Sequence, residues 1–276
     1  MTAIDSASWI GRTETCADHI DIGHIEKMAL SLDAPAPKQG EALPLLWQWG
    51  LFVKGYPYAG LGEDGHPRRG GFAPPADHRN RMWAGGRLEF PRVLRVGVEA
   101  SRVSTIIAVE EKTGRSGKLL FVTIKHDYFQ DGLLCISEEQ DVVYREPSPP
   151  RLEGSDPAPQ AGWAETVIPT STMLFRYSAV TFNGHRIHYD YPYVTQVEGY
   201  PGLVVHGPLI ATLMCRAFSR ANPGRVVTSL SYRGLRPLFA PRAFQVAGAL
   251  TGTGCARLWA EQDGTLAHQA EIRFAA

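Results

Sequence analysis

Residues 207–224 read Gly-Pro-Leu-Ile-Ala-Thr-Leu-Met-Cys-Arg-Ala-Phe-Ser-Arg-Ala-Asn-Pro-Gly. Pro208 suits the first turn of a helix, where its missing N–H is not needed. Leu209, Ile210, Leu213, Met214, Ala217 and Phe218 then recur at three- and four-residue spacing, one helical stripe, until Asn222-Pro223-Gly224 stops it. Downstream the period changes. Residues 226–232, 244–251, 256–261 and 267–274 read as strands punctuated by Pro, Gly and Asp-Gly turn signals. A long amphipathic helix followed by antiparallel strands is an α+β unit, with the helix stripe buried against one face of a curved sheet.

The first half of the chain repeats this plan more weakly. Ile22, Ile25, Met28, Ala29 and Leu32 have helical spacing, and residues 93–99, 104–110, 118–128 and 133–144 read as strands. Residues 86–94 (GRLEFPRVL) are similar in composition to residues 233–240 (RGLRPLFA), and each stretch heads the strand series of its half, so the pattern predicts a duplicated unit. Residues 146–163 are dense in Pro, Gly, Ser and Asp and read as a linker. The expected organisation is a first unit over 1–146, a linker over 147–163 and a second unit over 164–276. Residues 172–180 (TMLFRYSAV) alternate as a strand would. Residues 55–86 form a Gly- and Pro-rich stretch carrying Arg68, Arg69, Arg79 and Arg81, and loops of that length are functional or disordered.

Composition narrows the function. The 276 residues carry 28 Lys+Arg against 28 Asp+Glu, so no long-range field collects nucleic acid or acidic lipid, and an anionic ligand needs a local cluster. No stretch reaches the roughly 20 apolar residues of a spanning helix. No basic segment precedes an apolar one near the start, so the expected location is the cytoplasm. The four cysteines form no C-x-x-C pair, which fits small buried hydrophobes better than a zinc cage or redox dithiol.

The densest polar strings are residues 182–190 (FNGHRIHYD) and 200–209 (YPGLVVHGPL). One reading is a metal site from His185, His188, Asp190 and His206, although the spacing fits no standard ligand pattern. Another is acid–base chemistry beside an oxyanion site: a His-Gly-Pro entry leaves first-turn amides free to meet a polarised carbonyl, while a neutral histidine takes a proton from water. A third is that these histidines merely cap helices and fill turns.

Together the two strings resemble the hydratase motif of MaoC-like (R)-specific enoyl-CoA hydratases, especially the subgroup of mesaconyl-C4-CoA or itaconyl-CoA hydratases and type 2 hydroxyacyl-thioester dehydratases. Residues 65–72 (GHPRRGGF), 81–86 (RMWAGG) and 43–47 (LPLLW) resemble the amino-terminal dehydratase-like domain of that subgroup. The resemblance implies a double hotdog, two units each with a long helix wrapped by an antiparallel sheet. It implies addition of water to, or its removal from, a coenzyme A or acyl-carrier-protein thioester with no metal and no cofactor, and a homodimer. In the wider family the motif begins with Asp, has Asn two residues later and ends with His; here Asn183 stands at the acidic position, His185 at the Asn and His188 at the catalytic His. An amide cannot exchange protons near neutral pH, but it can orient water.

The expected site is therefore His188 as base, Asn183 holding the water and the Gly207 amide on the thioester oxygen. His185, Asp190 and His206 support it, with Asp190 either a second acid or a cap. Arg68, Arg69, Arg79, Arg81, Arg233 and Arg236 are the candidate clamps for coenzyme A phosphates. Trp83, with Trp47, Trp49 and Phe52, is a candidate for the acyl tunnel. The first unit, lacking a counterpart of FNGHRIHYD, would shape that tunnel. Two competing functions are a thioesterase on the same fold and a non-catalytic acyl-thioester binding protein. An unperturbed histidine base predicts activity that declines below about pH 6.5.

Overall fold

The computed structural model describes residues 6–76, 79–114, 117–146, 152, 154 and 156–275. In chain order these form β1 (Thr13–His19), α1 (Ile22–Leu32), β2 (Asn80–Glu89), β3 (Glu99–Gly114), β4 (Gly117–Gln130), β5 (Leu133–Arg145), β6 (Trp163–Val167), α2 (Ser171–Val180), α3 (Tyr191–Gln196), α4 (Gly207–Ala221), β7 (Val226–Gly234), β8 (Phe244–Gly252), β9 (Cys255–Gln262) and β10 (Thr265–Ala275). The strands make one 10-stranded sheet in the order β1-β3-β4-β5-β2-β7-β10-β9-β8-β6. Read inward from either edge, the two halves have the same connectivity: first strand, third, fourth, fifth, second. They meet where β2 pairs antiparallel with β7, from Gly85↔Arg233 to Glu89↔Ser229. The duplicated plan expected from the sequence is thus present in the topology.

Helix α4 lies where its stripe predicts. Leu209, Ile210, Leu213, Met214, Ala217 and Phe218 are all buried, and the helix packs on β6, β8, β9 and β10. Phe218 meets Trp163 of β6 and Phe274 of β10 at ring separations of 6.1 and 5.4 Å. In the first half α1 buries Ile25, Met28, Ala29 and Leu32 and packs against α2. Residues of both halves, Leu88 and Ile136 with Leu213 and Leu258 among them, belong to one continuous core.

Three expectations need correction. Residues 172–180 are helix α2, not a strand: Thr170 caps it by accepting the Met173 amide at 3.1 Å, and Leu174, Tyr177 and Ser178 are buried at helical spacing. Residues 93–98 are irregular. Leu94 and Val96 are buried there in the core, with their backbone bonded to residues 40–43, and the strand begins only at Glu99. The stretch 55–86 is not loop throughout, since β2 starts at Asn80. Of the linker, residues 147–151, 153 and 155 lie outside the described residues, and Trp163 already belongs to β6.

Candidate active site

The FNGHRIHYD string follows directly from the end of α2. The Asn183 amide donates to the Ser178 carbonyl at 2.8 Å, and the Asn183 Oδ1 accepts the His185 amide at 3.0 Å, fixing a tight turn. Residues Arg186–His188 then form one 3-10 turn that buries the His188 ring. Two bonds clamp it to the YPGLVVHGPL string: the Val204 amide donates to the Ile187 carbonyl at 3.0 Å, and His188 Nδ1 lies 2.8 Å from the Val204 carbonyl oxygen. A carbonyl only accepts, so the proton of a neutral His188 sits on Nδ1 and Nε2 keeps a bare lone pair.

His206 precedes α4 and stacks on His188, with centroids 3.6 Å apart and planes at 18°. Its Nε2 pairs with Ser178 Oγ at 2.8 Å. Gly207 is the first residue of α4, so its amide has no carbonyl of its own helix to bond. A Cβ at Gly207 would lie 2.6 Å from Cε3 of Trp83, so glycine is what lets that indole cover the helix entrance. Trp83 reaches there from β2, stacked on Tyr232 of β7 at 4.4 Å.

A strap from the first half completes the arrangement. The Arg186 amide and Nη1 donate to the carbonyls of Asp64 and Glu63, each at 2.9 Å. Gly65, at φ +84°, lets the strap backbone touch Gly184: a Cβ there would lie 1.9 Å from the Gly184 oxygen. Asp64 Oδ1 accepts the His66 amide at 3.0 Å, and Oδ2 lies 3.4 Å from His66 Nδ1. The His66 ring lies 4.2 Å from that of His185, which is 5.5 Å from that of His188. Four imidazoles thus run in a row, His66, His185, His188, His206.

Burial pushes all four down from the ordinary histidine value, and His188 falls to about 3, chiefly through burial. Burial alone would raise Asp64, but the hydrogen bond and charge of His66 hold it down at about 2. At neutral pH His185, His188 and His206 are uncharged and Asp64 is ionised.

A family model of the type 2 hydroxyacyl-thioester dehydratases matches residues 47–240. The chain belongs to that family. The mesaconyl-C(4)-CoA hydratase of Chloroflexus aurantiacus is 45% identical over 244 residues, 87% of either chain. Among solved structures, a MaoC-like dehydratase from Phytophthora capsici aligns over 99% of both chains with TM-score 0.70 at 15% identity. A Mycobacterium tuberculosis protein with a double hotdog fold aligns over 96% of both with TM-score 0.59 at 12% identity. This family member is accordingly a double hotdog and a hydro-lyase.

The fold of this dehydratase-family chain brings together His185, His188, His206, Asn183, Gly207 and Trp83. Among the described residues it does not bring three or more of the four groups of the alternative metal reading within ligating distance of one another, and Asp190 is taken by Arg186. Asp190 also caps α3 by accepting the Tyr193 amide at 3.1 Å, and that bond, with Arg186, holds its carboxyl below the usual range. Asp190 thus caps α3 and pairs with Arg186. Asp64, His66 and His185 offer ligand atoms within 4.8 Å of one another, the one such cluster of three His, Cys, Asp or Glu side chains among the described residues.

The arginines divide. Arg79 is buried and paired with Glu111 at 2.8 Å. Arg236 donates to the carbonyls of Leu266, Gln262 and Thr265, and Arg68 donates to that of Leu61. Arg81 and Arg233 are exposed. Asp64 and His66 received no role from the sequence; two titratable residues flanking a glycine in an overlong loop were the signal available.

Proposed function

We propose that this chain catalyses the reversible hydration of a short, branched or dicarboxylic 2-enoyl-CoA to the 3-hydroxyacyl thioester. The observation that carries the reading is the His188 Nδ1 bond to Val204, which leaves Nε2 as a buried, uncharged base. His188 Nε2 takes a proton from water as the water oxygen bonds to the β-carbon. The C=C electron pair moves onto the thioester oxygen, which the Gly207 amide stabilises. The imidazolium then returns its proton to the α-carbon, so one residue acts first as base and then as acid and ends neutral. Asn183 orients the water. No metal or redox cofactor enters these steps.

Support for the acyl class is the identity with mesaconyl-C(4)-CoA hydratase. In this reading residues 164–276 carry the reacting groups, residues 1–146 supply the strap and Trp83, and the enzyme is a cytoplasmic homodimer. The test is incubation with crotonyl-, mesaconyl-C4- and itaconyl-CoA, following loss of the conjugated double bond by ultraviolet absorbance. Turnover of mesaconyl-C4- or itaconyl-CoA, the two dicarboxylic thioesters, supports the reading; binding without turnover of any of the three contradicts it.

The low position of His188 replaces the expected loss of activity below about pH 6.5. Its neutral form is the working one, and it persists until pH approaches 3. Protein that remains folded should therefore show a flat rate from pH 8 to 5. Stability behaves differently. His126, His188 and His268 lie at about 3, 3 and 4 when folded, whereas unfolded they take up protons from about 6.5 downward, so stability is lost as pH falls through that window. Initial rates paired with circular dichroism at each pH check both statements: a rate half-point near 6.5 in fully folded protein contradicts the first.

A further inference from the structure

Strand β2 carries Arg81 and Trp83 two residues apart, and therefore on one face of the sheet. Trp83 lies on Gly207, at the entrance of α4. Across the sheet Arg81 pairs in register with Tyr144, and the Arg69 guanidinium sits over the Tyr144 ring with Cζ 5.8 Å from its centroid. Arg69 follows His66 closely along the strap, and the His66 ring meets His185. Two guanidinium groups are thus gathered at one end of the imidazole row.

Neither has an acidic partner among the described residues. Among the described residues the Arg81 side chain makes no hydrogen bond or ion pair, and the Arg69 side chain donates to the Ala76 carbonyl. In contrast Arg79 is paired with Glu111, Arg186 with Asp190 and Arg216 with Glu165. Asp64, the carboxylate beside His66, is engaged with the amide and ring of that residue. The charges of Arg81 and Arg69 help to lower His66, and that of Arg81 helps to lower His185, as groups close to those rings must. The pantetheine arm separates the coenzyme A phosphates from the thioester, so cations beside the imidazoles are placed for the acyl end of the substrate.

We propose that Arg81, assisted by Arg69, binds a carboxylate carried by the acyl chain and so selects thioesters of dicarboxylic acids. The proposal rests on the hydratase reading above and moves these two arginines from the phosphate end of the substrate to its acyl end. A guanidinium holds a carboxylate through paired charge-assisted bonds, which an uncharged acyl terminus cannot form.

Two measurements separate this proposal from the reading it rests on. Calorimetric binding of succinyl-CoA and butyryl-CoA, saturated thioesters of equal chain length, needs no turnover. Succinyl-CoA should bind the unaltered protein more tightly, by about ten- to hundredfold for bonds to a charged group. That preference should collapse in Arg81→Met and survive in part in Arg81→Lys, with Arg69→Met giving a smaller loss. The second measurement is the ratio of kcat/KM for mesaconyl-C4-CoA to that for crotonyl-CoA, which should fall by a similar factor in Arg81→Met. Equal binding of the two saturated thioesters by the unaltered protein, or a preference unchanged in Arg81→Met, overturns the carboxylate subsite. A preference that follows Arg81 in a protein that hydrates no enoyl thioester upholds the subsite and removes the hydratase reading.

Discussion

His188→Ala lowers kcat for hydration by about two to four orders of magnitude, the range expected when a positioned general base is removed. The alanine variant also leaves the buried Val204 carbonyl without its donor and His206 without its stacking partner, so part of its loss can come from a disturbed turn. His188→Gln is the sharper test. Its amide can still donate to Val204, but it offers no basic nitrogen near neutral pH. The account predicts that the glutamine variant melts closer to the unaltered protein than the alanine variant does, yet is as inactive. Activity near the unaltered level in either variant removes His188 from the mechanism.

Gly65→Ala should cost about a hundredfold in kcat/KM although residue 65 lies in the other half of the chain from the histidine motif. Two causes act together. At φ +84° an L side chain is strained by about 1–2 kcal/mol, and a Cβ there would lie 1.9 Å from the Gly184 oxygen. The neighbour is backbone within the FNGHRIHYD turn, so either the strap or the turn must move by more than 1 Å, and a misplacement of that size costs about 10²-fold in rate. Circular dichroism should be unchanged, because α4 and β7 to β10 pack without the strap. Full activity in a folded Gly65→Ala protein means that the strap is not part of the working site.

What the sequence disclosed follows from where each signal originates. Helix α4 is legible because its stripe faces a sheet and its ends carry Pro208 and Asn222-Pro223-Gly224. Strands β7 to β10 are legible because one face is core and their turns are marked. Strand β1 (TETCADH) has no apolar face to read: as an edge strand it is specified by its pairing with β3, a partner far along the chain. Helix α2 reads as alternation because its exposed side keeps Phe175, while the residues it buries, Leu174, Tyr177 and Ser178, become a stripe only against α1. In the site, His185, His188, His206 and Gly207 announce themselves as dense polar strings. Asp64 and His66 do not, since the contact that gives them a place joins residues 123 apart, from Glu63 to Arg186. The protonation states were equally hidden: an imidazole near 6.5 in water is moved to about 3 at His188 by burial that only the fold supplies.

The most direct test of the central claim is the mass of the product formed from a short enoyl-CoA. Purified protein incubated with mesaconyl-C4-CoA and, separately, crotonyl-CoA should yield a species heavier by one water with the thioester intact, and the same species should be depleted in His188→Gln. Release of free coenzyme A contradicts the account and makes the chain a thioesterase on the same fold.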